Sequence, residues 1–270
     1  MLVVTCIKQV PDTTQVKIDP ATNTLIRDGI PFIINPYDVH ALEESLRLKD
    51  RFGLHATALS MGPPNAGAAL KRALALGMDD AVLLSDRLFG GADTLSTSNV
   101  LAAAIRKLAA SKPLGLVICG KQTIDGDTAQ VGPGIAVRLG LSQLTLVDRI
   151  EHLDFLSNRI RVRRKLEGRY EIVEAHLPAM ITVVREINQP RYPTVPMRLQ
   201  SEKAPITVWS NEELKLDVNS IGLKGSPTWV SKIFSPERAT GEILGDGLGD
   251  PAGTTRMLME RLLATDMLTV

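Results

Sequence analysis

Short apolar runs alternate with longer amphipathic segments from the first residues onward. Residues 2–7 (LVVTCI) predict a buried strand. Residues 16–26 (VKIDPATNTLI) predict a hairpin turning at 20–24, followed by Asp28-Gly29. From 37 to 50 the period becomes helical. Ala41, Leu42, Ser45 and Leu46 share one face, and Glu43 stands four residues before Arg47, a favourable helical pair. Residues 55–61 predict a strand, 66–76 a helix closed by Gly77, 81–84 a strand and 94–110 a helix rich in Ala and Leu. Residues 114–119 predict a strand almost without polar groups, 128–139 a helix closed by Gly140, and 144–147 a short strand. Strands of this kind alternating with helices predict an α/β fold with an open, mainly parallel sheet covered by helices on both faces.

After about Asp148 the pattern changes. Residues 159–164 and 170–174 predict a hairpin around Glu167-Gly168, and 179–184 one more apolar strand. From Asn188 the periodicity is lost. Pro190, Pro193 and Pro196 punctuate one short stretch, and 201–253 carries scattered Gly, Pro and Ser. A helical pattern returns at 254–267. We therefore expect a domain over 1–190 and an extension over 191–270 that needs a partner to pack against.

Composition narrows the class. Hydrophobic residues make up 44% and aromatics only 4%, so the core must be aliphatic. With 31 basic and 30 acidic residues the net charge is +1, which argues against a nucleic-acid groove or a polybasic membrane surface. Cys6 and Cys119 lie in apolar runs and read as buried reduced thiols, with no spacing for a disulfide framework or a metal site. No charged region followed by a cleavable apolar run opens the chain, and no stretch approaches the roughly 20 apolar residues needed to span a bilayer. A cytoplasmic protein without direct membrane insertion is expected.

In an open parallel sheet, ligands bind beyond the carboxyl ends of the strands. Four segments there carry chemistry. CIKQVPD (6–12) leaves the first strand, and Asn35-Pro36-Tyr37-Asp38 enters the first helix; simple capping accounts for either alone. GKQTIDGDTAQVGPG (120–134) runs from a buried strand into a helix, with glycines for close backbone approach and free N–H groups suited to a phosphate. Asp125, Asp127, Thr128 and Gln130 add polar side chains. The plain structural reading is a glycine-rich turn capped by Asp127; the density of polar groups favours a ligand site. DRLFGGADTLSTS (86–98) offers Asp93 or Thr94 as a helix cap, and places the hydroxyls of Thr94, Thr97 and Ser98 on one helical face. GxGxxG after the first strand, GxxxxGK[ST], GxSxG and HExxH are all missing. The four histidines are scattered, and no nucleophile–base pair is spaced for catalysis, so no catalytic residue or metal is assigned. A nucleotide site without a catalytic constellation suits a carrier or binding subunit.

Taken together, VTCIKQVPD, NPYDVHALEE, SMGPP, GKQTIDGDTAQVGP and VRRKLEGRYEIVEAHLPAMIT (162–182) resemble the β subunits of electron-transfer flavoproteins over nearly the whole chain. Arg169 departs from that pattern, standing where a small or acidic residue is commoner. The resemblance implies a sheet of the adenine nucleotide α-hydrolase-like kind, and a C-terminal arm on an α subunit. It also implies an adenine-nucleotide site at Cys6, Asn35, Pro36, Tyr37, Asp38, Met61 and the 120–132 segment: Gly120, Gln122, Asp125, Gly126, Asp127, Thr128, Gln130, Val131 and Gly132. Ordinary members hold AMP there. The 86–98 segment resembles a motif of bifurcating, Fix-like members, in which FAD replaces AMP and Asp93, Thr94 and Thr97 contact it. That subgroup implies NADH as electron donor and ferredoxin or flavodoxin as low-potential acceptor. The second electron then passes through the α-subunit FAD to an acyl-CoA or other dehydrogenase, or to a quinone reductase. INQPRYPTVP (187–196) resembles the loop that docks partner dehydrogenases, with Tyr192, Thr194, Val195 and Pro196 as its contacts. An adenine-nucleotide hydrolase would need an SGGxDS-type loop where CIKQVPD stands. A passive stress-type binder would leave the long tail unexplained.

Overall fold

The computed structural model describes residues 1–12, 17–18, 25–26, 31–229, 231 and 241–265. The chain begins with β1 (Leu2–Cys6), β2 (Gln9–Pro11), β3 (Lys17–Ile18), β4 (Leu25–Ile26) and β5 (Phe32–Ile34). Helix α1 (Pro36–Phe52), β6 (His55–Met61), α2 (Gly67–Leu76), β7 (Asp80–Leu84), α3 (Thr94–Ala109), β8 (Leu114–Gly120) and α4 (Val131–Leu139) follow. Then come β9 (Ser142–Asp154), β10 (Arg159–Leu166), β11 (Arg169–His176), β12 (Ala179–Val183), α5 (Val195–Lys203), β13 (Thr207–Trp209), α6 (Asn211–Leu214) and α7 (Pro251–Ala264).

Nine strands form one sheet in the order β11-β10-β9-β12-β8-β1-β6-β7-β13. The seven from β9 to β13 in that order are mutually parallel, and β10 and β11 extend the sheet as antiparallel strands. This is the expected α/β architecture. Alternation along the strands splits the core between the two faces. Val3, Leu116 and Ile181 pack with Leu42, Leu46, Leu70 and Ala73 of α1 and α2. Leu2, Val4, Val117 and Met180 pack with Val100, Leu101, Ile105 and Ile135 of α3 and α4. Burial of each such aliphatic side chain contributes roughly 1.5–3 kcal/mol. Gly77 and Gly140 close α2 and α4 in left-handed conformations, as their positions predict.

Several expectations change in the structure. The hairpin read over 16–26 is present as the antiparallel pair Lys17–Ile18 with Leu25–Ile26; its turn at 20–24 and Asp28-Gly29 lie outside the described residues. The short strand at 144–147 is the middle of the 13-residue β9. Leu146 takes a left-handed φ of 60°; the register with β12 shifts across it, between Leu144 and Val147, and the register with β10 shifts just beyond, between Val147 and Arg149. That bend breaks the period-2 pattern and hid the strand's length.

The stretch after Asn188 is not irregular throughout. It contains α5, β13 and α6, and β13 pairs with β7 to complete the sheet edge. Trp209 and Leu216 lie against the α3 face of the core, with the Lys107 ammonium 4.9 Å from the Trp209 ring centre. By contacts the chain divides into units 1–229 and 230–270, whereas loss of periodicity placed the break near 190. In the second unit α7 is capped by Asp250, which accepts from Gly253 N–H at 2.9 Å; residues 266 and 267 of the expected helix lie outside the described residues. No helix among the described residues is long and apolar enough to cross a membrane.

Helices α3 and α4 meet closely: a Cβ built on Gly134 would stand 2.6 Å from Ser98 Oγ. Gly134→Ala is therefore expected to destabilise the protein by about 1–3 kcal/mol, through overpacking rather than backbone strain. A thermal midpoint unchanged in the variant would contradict this.

Candidate functional site

Connections from β1 lead towards β6 and β7, while those from β8 lead towards β12 and β9. The sheet order reverses between β1 and β8, so a crevice opens beyond their carboxyl ends. The start of α1 fastens both lips. Asn35 is fully buried; its side-chain N–H donates to Gln122 O at 2.8 Å, and its Oδ1 accepts from Ile124 N–H at 3.2 Å. Asp38 Oδ2 accepts from Lys8 N–H at 2.8 Å. Lys8 Nζ then reaches over to Asp125 at 2.7 Å. Pro36 occupies the first turn of α1, where its missing N–H is not needed. Tyr37 lies beneath the Arg185 guanidinium at 4.9 Å.

Asp38 is a buried carboxyl whose pKa rises from 3.8 to about 7. Desolvation drives the rise, and hydrogen bonds from Asn35, Lys8 and Gly120 offset part of it. A Cβ at Gly120 would collide with Asp38 Oδ1 and stand 2.7 Å from Tyr37 Cβ, so glycine is required for this close approach. Cys6 and Cys119 are register neighbours at the floor, both free and buried. Their mutual hydrogen bond, together with burial, pushes the Cys119 thiol well up.

Residues 121–130 form an extended loop, and α4 begins at Val131 instead of Thr128. Asp127 and Ala129 both adopt φ of 56°, incompatible with a helix at those positions. Asp127 is therefore not the N-cap; it accepts from Gln122 Nε2, and Gln130 holds the cap position without a side-chain cap bond. The first-turn N–H groups of Val131 and Gly132 have no intrahelical acceptor and point from the start of α4. Such donors, following a turn with left-handed residues, match a phosphate or other anion. Gly132 lets α4 lie against the sheet, since a Cβ there would meet Thr182 Cγ2 at 2.8 Å.

The 86–98 segment joins the same rim. Thr94 Oγ1 donates to Gln130 Oε1 at 2.9 Å. Asp93 caps α3 by accepting from Ser96 N–H at 3.0 Å, and its other oxygen accepts from Thr228 N–H and Oγ1 at 3.2 and 2.9 Å. Both carboxylate oxygens of Asp93 thus hold the fold together. Thr97 lies half-buried one turn along, whereas Ser98 turns inward and bonds Leu95 O. Ser96 Oγ is buried without a hydrogen-bond partner among the described residues. Met61 ends β6 and packs on the α3 face.

Sequence reasoning missed the scaffold of this rim. Asn211 N–H donates to Asp86, Ser226 Oγ accepts from Asp93 N–H, and Asn99 donates to Ser220. No local signal links residues more than 120 positions apart. A cleft of about 370 Å³ flanks the crevice on the β12 side, lined by Tyr37, Lys121, Leu146, Lys165 and Arg185 among others. Tyr192, Thr194, Val195 and Pro196 do not join the crevice. Thr194 caps α5, accepting from Met197 N–H at 3.4 Å, and Tyr192 and Val195 are 88% and 73% exposed.

Asp38 gives a pH signature. Its folded pKa stands above the unfolded value, so the folded state holds an extra proton between about pH 4 and 7. Its contribution to stability therefore falls as pH rises through that window and is level above it. Asp38→Asn is expected to flatten that part of the profile of thermal midpoint against pH. A variant profile parallel to the wild type from pH 5 to 7 would show that this carboxyl does not titrate there.

Comparison with known proteins gives the same picture. Residues 22–214 match the electron transfer flavoprotein domain. The chain is 47% identical over 262 residues to "Protein FixA" of Azotobacter vinelandii, covering 96% of this chain and 93% of that one. It is 48% identical over 245 residues to "Electron transfer flavoprotein subunit beta" of Clostridium acetobutylicum, covering 90% and 92%. It is 46% identical over 257 residues to "Caffeyl-CoA reductase-Etf complex subunit CarD" of Acetobacterium woodii, covering 94% and 96%. With a switch-point crevice built from the expected motifs, and relatives of this identity along nearly its full length, the chain belongs to the electron-transfer flavoprotein family as a β-type subunit of the FixA kind.

Proposed function

We propose that this chain pairs with an electron-transfer flavoprotein α subunit and holds FAD in the β1/β8 crevice. NADH is the electron donor. One electron leaves towards a low-potential acceptor of the ferredoxin or flavodoxin kind. The other passes through the α-subunit FAD to an acyl-CoA or other dehydrogenase, or to a quinone reductase. The observation that carries this reading is the Thr94–Gln130 hydrogen bond at 2.9 Å. It brings the 86–98 segment to the start of α4, where the N–H groups suited to a phosphate stand, so one extended dinucleotide would touch both. The relative CarD, a subunit of a caffeyl-CoA reductase–Etf complex, supports a reductase as downstream partner.

When bound, the flavin supplies the redox chemistry. The protein's own groups bind and orient it. The N–H groups of Val131 and Gly132 would take the phosphate, Asn35 holds the loop after β8 and Asp38 the loop after β1, and Thr94 and Thr97 would contact the extension from α3. The second reading is an ordinary β subunit with structural AMP. It is favoured by Asp93, whose two oxygens are already engaged by Ser96 and Thr228.

Co-expression with the α subunit and a nucleotide count per heterodimer tests the two. Two FAD and no AMP are expected; one FAD and one AMP would replace this reading with the second. Residues 230–270 are proposed as the arm that packs on the α subunit, because the single described helix of that unit cannot bury a core alone. Trypsin should cut this arm readily in the isolated chain and slowly in the heterodimer, and equal rates would sink the proposal.

A further inference from the structure

Helix α1 carries two sites at once. Its first turn holds the crevice through Asn35 and Asp38. Further along, His40, Glu43, Glu44, Arg47 and Asp50 project towards the loop that follows β12. Asn188 Nδ2 donates to Glu44 Oε2 and to His40 O, both at 3.0 Å. His40 Nδ1 lies 3.1 and 3.2 Å from Asn188 Oδ1 and O; both are acceptors, so this nitrogen carries the proton. Arg191 donates from its backbone N–H and Nε to Glu43 Oε2 at 3.0 and 2.9 Å, and from one terminal nitrogen to Glu43 Oε1 and Asp50 Oδ2 at 3.2 and 2.9 Å. Arg47 Nε also donates to Glu43 Oε1 at 3.2 Å. Glu43 is nearly fully buried while Arg191 stays partly exposed, so the carboxylate side of the fork is shielded from water and the two-point contact fixes its orientation.

Directly after this clamp come Tyr192, Val195 and Leu199, the last two one helical turn apart on α5 and all well exposed. We infer that Glu43, Asn188 and Arg191 are positioning residues for electron exchange: through them α1 sets the partner-docking surface at a fixed distance from the cofactor crevice. The inference rests on the reading of 192–196 as the partner loop, and adds Leu199 to its surface. Left free, the irregular chain between β12 and α5 would have to be ordered at every encounter, which weakens docking.

The test uses the purified heterodimer with NADH as electron donor and an acyl-CoA dehydrogenase as electron acceptor. Glu43→Gln is expected to raise the KM for the heterodimer by roughly threefold to thirtyfold, with kcat and flavin content unchanged. Hydrogen exchange of the 189–194 amides should quicken in the same variant. The double variant Glu43→Gln/Arg191→Gln should be no worse than Glu43→Gln alone; a further loss would mean that Arg191 touches the partner directly, overturning its positioning role. Val195→Ala serves as the reference for the docking reading. If Val195→Ala raises KM while Glu43→Gln changes neither KM nor exchange, the clamp inference falls and the docking reading stands. If Val195→Ala changes nothing, the docking reading falls and the inference with it.

Discussion

One buried amide and one buried carboxyl at the start of α1 hold the crevice together. At the point where the parallel strands diverge, the loops leaving β1 and β8 no longer pair with each other. Asn35 and Asp38 replace those missing ladder bonds by binding Gln122, Ile124 and Lys8. Burying such polar groups is unfavourable unless every one is satisfied. Here the partners are backbone groups that would otherwise be orphaned, so each side solves the other's problem. The arrangement tolerates no side chain at Gly120, and it leaves Asp38 titrating near neutrality.

The rest of the rim depends on this anchor and on a second one from the far end of the chain. Residues 205–228 extend the sheet with β13 and then fasten the 86–93 turn through Asn211, Ser226 and Thr228. The first anchor places the loop before α4; the second places the start of α3. Their meeting at Thr94 and Gln130 joins two segments of unrelated sequence into one continuous rim. At the opposite edge, β10 and β11 carry cross-strand ion pairs such as Arg164–Glu171, which keep an open strand polar.

A carrier subunit has to hold a cofactor and present it to a partner without doing acid–base chemistry itself. The site fits that demand. Its donors are backbone N–H groups and hydroxyls, and its two cysteines lie buried beneath with the Cys119 thiol pushed away from reactivity. Its most perturbed carboxyl serves the loops around it. Helix α1 extends from the crevice to the clamp on Arg191, so cofactor loop and proposed docking loop share one rigid element.

The sequence alone determined the α/β class, the sheet strands β1, β6, β7 and β8, and the helices α1 to α3, and it pointed to the loop 120–132 as a candidate ligand site. Those features are written in local periodicity, in glycines at helix ends and in strand-to-loop transitions, which neighbouring residues encode. The motif resemblance supplied the family. Only the tertiary structure decided that α4 starts at Val131, because Asp127 and Ala129 take left-handed φ in the loop that Asn35 ties at Gln122 and Ile124. It alone decided that β9 continues past the bend at Leu146, that 205–228 belongs with the sheet, and that Asp93 is consumed as a cap and tie. These outcomes depend on hydrogen bonds between residues far apart in the chain, whose partners no local pattern announces.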